Sequence, residues 1–395
     1  MNSDRLKKWL NGLPVHVALL ALCLLWIVPT LGLLVTSFRP FQDVGRTGWW
    51  MALAPPPGKA IYTNSCAECH GADGKAIAAA DLSSPELANQ FRRSSNLLAM
   101  LKKDVNGQPH MQGKPLPTDQ QAADLLPYLR QLAGLENRPL FTLSNYVDAL
   151  TGYRGTTTYI NDCAAGTAPS DLSCNFTTDL GNPRGMGRAF VNSLFVAVPS
   201  VLLPILFAAF AAYAFAWMDF KGRNWLFAIL VGLQIVPLQM TLIPISRLYA
   251  SMGLNGTFLG VWLFHTGFGL PYAIYLMRNF LGGLPRELFE SAYLDGASHW
   301  TAFYRLALPL SVPALASLGI FQFLWIWNDL LVALVFLGGT TPVLTYQISN
   351  MVTSLGSGWH LLTAAAFISM ALPMVIFFAL QRFFVRGLLS GSVKG

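Results

Sequence analysis

The chain has 395 residues, 53% of them hydrophobic and 11% charged, with a mean hydropathy of +0.46 and a formal net charge of +7. A soluble domain carries about 25% charged residues, so the composition excludes an ordinary soluble enzyme and points to a membrane protein. Thirteen of the 19 acidic and 14 of the 26 basic residues fall between Phe38 and Arg188. The greasier remainder therefore has twice as many basic as acidic groups, which reads as membrane topology and not as a nucleic-acid surface.

Six stretches are long and apolar enough to cross a bilayer core, which takes roughly 20 residues of helix. They are Val15–Ser37, Phe190–Trp217, Trp225–Ile245, Phe258–Met277, Val312–Phe336 and Leu361–Phe384. The first is too long for the apolar part of a signal peptide and no small-residue cleavage site follows it, so it reads as an uncleaved span. Lys and Arg gather before the first span, between the second and third, between the fourth and fifth, and after the sixth. The alternate short loops are nearly free of charge: 246–257 holds only Arg247 and 337–360 none. Positive residues stay cytoplasmic, so both termini are expected there, and the insert between the first two spans is expected outside. The expected organisation is a tail and first span at 1–37, an external linker at 38–56, a helical domain at 57–135, an external loop at 136–187 and a five-helix core at 188–395.

Within the insert, Cys66-Ala67-Glu68-Cys69-His70 has the spacing of a c-type haem attachment site. Two thiols three residues apart meet two vinyl groups, and the adjacent imidazole reaches the iron. A second ligand, commonly Met, must come from elsewhere; Met100 and Met111 are available. A plain Cys66–Cys69 disulfide and a strained zinc site drawing on His110 are the competing readings, and zinc asks for four ligands. Residues 57–135 resemble the small c-type cytochromes. Lys59-Ala60-Ile61-Tyr62 lies in a helix before Cys66, Gly71-Ala72-Asp73-Gly74 follows His70, and Met111-Gln112-Gly113-Lys114-Pro115-Leu116 precedes a helix begun by Thr118 and ending Tyr128-Leu129-Arg130. The resemblance implies one covalent haem c held by Cys66 and Cys69, with His70 and Met111 on the iron and Met100 in the core. Pro127 departs from the pattern and is expected to kink the last helix.

Cys163 and Cys174 lie in the Gly-, Thr- and Asn-rich stretch 152–183. On the oxidising side of a membrane they read as a disulfide closing that loop, the alternative being two free thiols. Cys23 lies in the first span and reads as packing.

In the core, Pro199, Pro204, Pro237, Pro244 and Pro271 interrupt the backbone ladder of three spans. Such breaks are tolerated where they face protein or a water-filled cavity. Gln234, Gln239 and His265 read as hydrogen-bonding groups of the bundle interior. The loop between the fourth and fifth spans runs from Pro285 to Pro313. Pro285, Glu287 and Glu290 suit a helix start, Leu288, Ala292 and Asp295 keep helical spacing, and Gly296 ends or bends that helix before a second short one.

This loop resembles the coupling loop of permease subunits of ABC importers. Glu290-Ser291-Ala292, Asp295-Gly296-Ala297 and Leu308-Pro309 match its three landmarks, with Ser291 in place of the family's middle Ala. Phe321–Asp329 and the tail Gln381–Gly395 are similar to the maltose-type sugar permeases within that family. The resemblance covers residues 1–37 and about 140–395, including Phe141–Tyr146 and Phe190–Ser193. It implies an all-α membrane protein with the six transmembrane helices of the type I importer permease, into which the all-α cytochrome-like domain is inserted. It implies a multi-pass protein of the bacterial inner membrane with the cytochrome-like domain in the periplasm. It also implies a non-catalytic subunit: Glu290, Ala292, Asp295, Gly296 and Ala297 of the segment 285–309 meet a cytoplasmic ATPase dimer. A second permease subunit and a periplasmic solute-binding protein complete the machine, and the substrate is a carbohydrate. No Gly-Lys-Ser/Thr nucleotide loop occurs, so ATP hydrolysis falls to the partner.

Ionisable groups inside a membrane default to a functional reading. Trp327, Asn328 and Asp329 are accordingly the candidate substrate path, with a helix-packing cluster as the plain alternative. The rival to the whole scheme is a membrane-anchored cytochrome for periplasmic electron transfer, which needs one anchor and no coupling loop.

Overall fold

The computed structural model describes the chain except residues 1–2, 46, 54–56, 78–79, 92–93, 106–107, 112–113, 136–140, 156–157, 352–357 and 393–395. Side chains of 3–12, 41–42, 57, 104–105, 108–109 and 384–392 also lie outside the described residues, and with them most of the C-terminal tail motif. Two compact units form, Met1–Thr142 and Leu143–Gly395. Among the described residues the secondary structure is helical apart from one two-residue antiparallel pair, β1 (Asp104–Val105) with β2 (Gln108–Pro109).

The first unit opens with α1 (Ser3–Phe38), whose segment Leu13–Phe38 is long and apolar enough to span a membrane. A small helical domain follows: α2 (Pro57–Ser65), α3 (Ala67–His70), α4 (Pro85–Gln90), α5 (Ser94–Leu101) and α6 (Asp119–Leu132). Its core is Tyr62, Phe91, Leu97, Leu98, Leu101, Ala122, Leu125 and Leu129. A capping box sets the start of α6: the Thr118 hydroxyl accepts from the Gln121 N–H, and the Gln121 side chain accepts from the Thr118 N–H. These two bonds satisfy donors that a helix start leaves open. The helix continues through Pro127, which is buried, to Leu132. The expected kink therefore does not end it.

Gly58 sits where α2 crosses α6. A Cβ there would collide with the Asp124 carbonyl oxygen and stand 2.9 Å from Tyr128 Cβ. One turn on, the Tyr62 ring lies 5.3 Å from that of Tyr128, and its hydroxyl donates to the Gly71 carbonyl at 2.7 Å. The crossing thus fixes the start of the Cys66–His70 turn.

The second unit begins with three short helices, α7 (Ser144–Thr151), α8 (Tyr159–Ala165) and α9 (Phe176–Asp179). The bundle follows: α10 (Met186–Trp217), α11 (Arg223–Leu233), α12 (Leu238–Ser251), α13 (Phe258–Gly282), α14 (Arg286–Leu294), α15 (His299–Ala302), α16 (Val312–Trp327), α17 (Leu331–Phe336), α18 (Leu344–Met351) and α19 (Trp359–Ser392). Long α10 packs along α13, and α16 along α19. The mean hydropathy of α10 and of the Trp359–Phe383 part of α19 qualifies each as a span on its own.

Two expected spans are not single helices. The third divides into α11 and α12, bent by 98° across Gln234–Pro237. Proline has no N–H to give the preceding turn, and Pro237 stands at the N-cap of α12. Gln234 and Gln239 flank this break and are exposed, so they are not bundle-interior groups; of the three candidates only His265 is buried. The fifth span stops at Trp327 and restarts at Leu331. Upstream, the segment His299–Leu310 meets α16 at 67°.

The Gly58 contact generates a stability prediction. The Asp124 carbonyl belongs to a helix and cannot rotate aside, so Gly58→Ala must push the two helices apart. Overpacking of this kind costs about 1–3 kcal/mol. Pulse proteolysis of the full chain in detergent should show selective loss of protection over residues 57–135 and unchanged protection of the second unit.

Candidate functional site

The loop after α13 is built around a helix end. The α14 C-cap is Asp295, and Gly296 adopts a left-handed backbone with φ of +83°. The Ala297 N–H donates to the Ala292 carbonyl at 2.9 Å and the Gly296 N–H to the Tyr293 carbonyl at 3.0 Å. This paired pattern is the Schellman closure of a helix. It explains why the turn reads Asp-Gly-Ala: only Gly takes φ > 0 without steric cost. Ser298 then caps α15 by accepting from the Thr301 N–H. Pro285 is the N-cap of α14, one position before the first turn.

The buried anchor of α14 is Phe289, fully enclosed and stacked on Trp217 of α10 at 3.8 Å between ring centres. Three polar rings add a second joint. The Tyr213 and Tyr293 hydroxyls lie 3.0 Å apart, and His299 Nδ1 lies 3.4 and 3.2 Å from them. One residue of α10 thereby touches both short helices of the loop. On the other side the loop is open. Glu290, Asp295 and Gly296 are exposed, as are the apolar side chains of Leu288, Leu294 and Trp300. Leu294 is 89% exposed, an apolar cost that a partner surface would relieve. Phe289, Tyr213 and His299 carry no motif and were not legible as parts of the site; the only hint is the aromatic density of α10 and the loop.

The three candidate path residues sit together at the break between α16 and α17 but face different ways. Trp327 is buried and donates from Nε1 to the Ser369 carbonyl at 3.0 Å. Asn328 is exposed and donates back to the Leu324 carbonyl at 2.8 Å. Asp329 accepts from the Val332 N–H at 3.0 Å, so its carboxylate caps α17. Asp329 also faces the buried His265, Oδ2 to Nε2 being 3.9 Å. Trp327, Asp329, His265, Ser193 and Thr345 line a cavity of about 10 Å³, room for about one water molecule.

In the first unit, the Cys69 and His70 N–H groups both donate to the Cys66 carbonyl, at 3.2 and 2.9 Å. This tight turn carries both thiols, and neither is in a disulfide. Cys66 is half-buried and Cys69 exposed. Burial pushes the Cys66 thiol up, against the pull of Lys114. His70 is buried, and its Nδ1 has no hydrogen-bond partner. Burial, with the neighbouring His110, lowers the His70 pKa, which keeps the imidazole neutral and able to bind a metal. Lys114 joins Glu68 at 2.6 Å and the Asn64 carbonyl at 3.3 Å, tying this side chain to the turn. Among the described residues no three His, Cys, Asp or Glu side chains converge as a zinc site requires. Met100 and Met111 both pack on the apolar core. The turn therefore fits a group held by two unbridged thiols and one buried imidazole.

Cys163 and Cys174 are disulfide-bonded, with Cα atoms 5.4 Å apart. Beside the bridge, the Asp179 carboxylate accepts from the Tyr159 hydroxyl at 2.8 Å and from the Ser173 N–H and hydroxyl at 2.9 and 2.8 Å. Asp148 is buried and accepts from the Tyr159 N–H at 2.8 Å.

Long apolar helices with broken spans, and a capped helix–turn–helix with an open apolar face, together describe a multi-pass membrane subunit. The chain belongs to the family described as binding-protein-dependent transport system inner membrane component, whose model matches residues 189–390. It is accordingly a multi-pass permease subunit and not itself an enzyme. A cytochrome c family model matches residues 56–133. The chain is 41% identical over 395 residues to the osmoprotective compounds uptake permease protein GgtD of Synechocystis sp., covering 100% of this chain and 96% of the relative. It is 43% identical to the alpha-glucoside transport system permease protein AglG of Rhizobium meliloti, over 96% of this chain and 97% of the relative. A crystal structure of a bacterial ABC transporter that imports alginate matches with 20% identity and a TM-score of 0.44, over 61% of this chain and 90% of that one.

Asp148 generates a pH prediction. Burial, reinforced by the charge of Asp162 and opposed by the Tyr159 N–H, raises its pKa to about 7. An unfolded Asp titrates near 3.9, so between about pH 4 and 7 the folded chain holds a proton that the unfolded chain has lost. Stability then falls as pH rises through that window and levels off above it. The thermal midpoint should be higher at pH 5 than at pH 8, and Asp148→Asn should shrink the difference.

Proposed function

We propose that this chain is one of two permease subunits of an ATP-driven importer of the carbohydrate-uptake type. The Schellman closure at Asp295-Gly296-Ala297, with Phe289 seated on Trp217, carries the proposal. Glu290, Ala292, Asp295, Gly296 and Ala297 form a rigid protrusion at the cytoplasmic face, and the exposed side of α14 docks in a cleft of the ATPase dimer. Force on α14 reaches α10 through the Phe289–Trp217 stack. A periplasmic solute-binding protein delivers the substrate. The names of the relatives favour glucosides or similar polyhydroxylated solutes. Trp327, Asn328 and Asp329 mark the path at the α16–α17 break, where Asn328 offers an exposed amide.

The same proposal places residues 57–135 in the periplasm as a haem c domain. Cys66 and Cys69 hold the group covalently, and His70 offers a neutral imidazole to the iron. Bound there, the haem supplies one-electron redox chemistry or binds a small ligand. The fit of the turn and the cytochrome c match at 56–133 support this part. A membrane-anchored electron-transfer cytochrome, the second reading, accounts for that domain but leaves the capped loop and its apolar face without a task.

Two experiments test the proposal. In proteoliposomes containing the complete transporter, Gly296→Val places a β-branched residue at φ of +83°, a strain of roughly 1–2 kcal/mol. It should uncouple ATP hydrolysis from uptake and cut transport at least tenfold. Gly296→Asn, which tolerates the left-handed region, should keep most of it; equal uptake by both variants would sink the coupling role. For the cofactor, a pyridine haemochrome spectrum of the purified chain should show one haem c, lost in Cys66→Ala/Cys69→Ala. A wild type without haem would remove that reading.

A further inference from the structure

The segment that follows the first span turns back along it. We propose that Trp50, Met51 and Leu53 lie in the headgroup layer of the bilayer at the Phe38 end of α1. Residues 47–53 then anchor the chain to a lipid surface and are not a free linker.

Three observations carry it. The first is that Trp49 packs on α1. A Cβ at Gly32 would stand 2.7 Å from Trp49 Nε1, so the indole occupies the place of a missing side chain. Gly32 lies six residues before the end of α1, which is about 9 Å along the helix axis. The turn Trp49–Met51 is thereby drawn back to the level of the span and does not stand above it. The second is that the reversal is pinned from inside. Arg39 is buried, and its guanidinium donates to the Thr47 carbonyl at 2.9 Å, to the Asp43 carbonyl at 3.2 Å and to the Thr47 hydroxyl. The Thr47 N–H donates to the same Asp43 carbonyl at 3.0 Å. The third is that the outward face is apolar. Trp50 is 72% and Leu53 79% exposed, and Met51 is exposed with them. No charged residue occurs from 47 to 58.

The depth follows from the length of the span. Leu13–Phe38 has 26 residues, about 39 Å of helix, against a bilayer core of about 30 Å. Arg5, Lys7 and Lys8 keep the start of α1 outside the core, so the core ends near Gly32, at the level of Trp49. Tryptophan suits that boundary, because its ring is apolar and its N–H can reach a wet headgroup. A protein surface could cover the same face. Continuity favours lipid: residues 13–31 of α1 are all exposed, and the turn prolongs that apolar surface into the interface.

The anchor also limits where the next domain can stand. Pro57 is four residues beyond Leu53, a reach of at most about 14 Å. The helical domain of residues 57–135 therefore starts at the membrane surface.

The test uses the complete transporter in liposomes of phosphatidylethanolamine and phosphatidylglycerol. The photoreactive residue p-benzoylphenylalanine replaces Trp50, Leu53, Leu25 or Glu86 in separate chains. Leu25 is an exposed position of the span, and Glu86 an exposed position of the helical domain. After irradiation, mass spectrometry should find lipid adducts at 25, 50 and 53, at least tenfold above the level at 86. Lipid adducts at 25 with none at 50 and 53 would overturn the proposal, as would adducts at 50 and 53 with protein in place of lipid. In the unaltered chain, hydroxyl radicals should label Trp50 at least fivefold more slowly than they label a synthetic peptide of residues 47–53 in water. Labelling at the peptide's rate would overturn the proposal even where a variant fails to fold.

Discussion

A backbone inside lipid must satisfy its own hydrogen bonds, because no water is there to do it. That constraint organises the second unit. It makes the long elements helices, and it confines the interruptions to a few places. At the α16–α17 break the Asp329 carboxylate takes a backbone N–H that the broken ladder leaves over, and the Asp329 carbonyl accepts the Thr345 hydroxyl at 2.9 Å. An acid in a span therefore has a structural task as well as a place beside the candidate path. The residues alone left a packing role and a place on the substrate path both open for it.

The same accounting explains the turn after α14. A helix end leaves carbonyls without partners, and the Schellman closure at Gly296 supplies two of them. The turn is thereby rigid, and its exposed residues keep fixed positions relative to Phe289. Rigidity is what a force-transmitting surface needs. The Tyr213–Tyr293–His299 contacts and the Phe289–Trp217 stack link that surface to α10. In the proposed docking, the exposed Leu294 at the helix end would meet a surface outside the chain.

The first unit relies on a different constraint, the close approach of two helices at Gly58. Removing the side chain there lets α2 and α6 touch backbone to backbone, which aligns Tyr62 and starts the Cys66–His70 turn at a fixed place. The turn leaves both thiols out of a disulfide, Cys69 exposed and Cys66 half-buried, while burying the imidazole beside His110. Fold and site are coupled here through a single missing methyl group.

Much of this was legible in the residues alone. Length and hydropathy marked the spans at α1, α10 and α19, because burial in lipid imposes a sustained apolar run. The Asp-Gly-Ala turn and the Cys-X-X-Cys-His spacing were legible because each depends on bonds between residues near in the chain. Cys163 with Cys174 was a local expectation of the same kind. What only the tertiary structure decided involves partners far apart in sequence. Whether the third and fifth spans stay whole depends on how neighbours accommodate a proline or cap a break. His265 meets Asp329, Trp217 meets Phe289 and His110 meets His70 across intervals that no periodicity encodes. Local chemistry writes itself into a motif; a contact made by packing leaves no such mark.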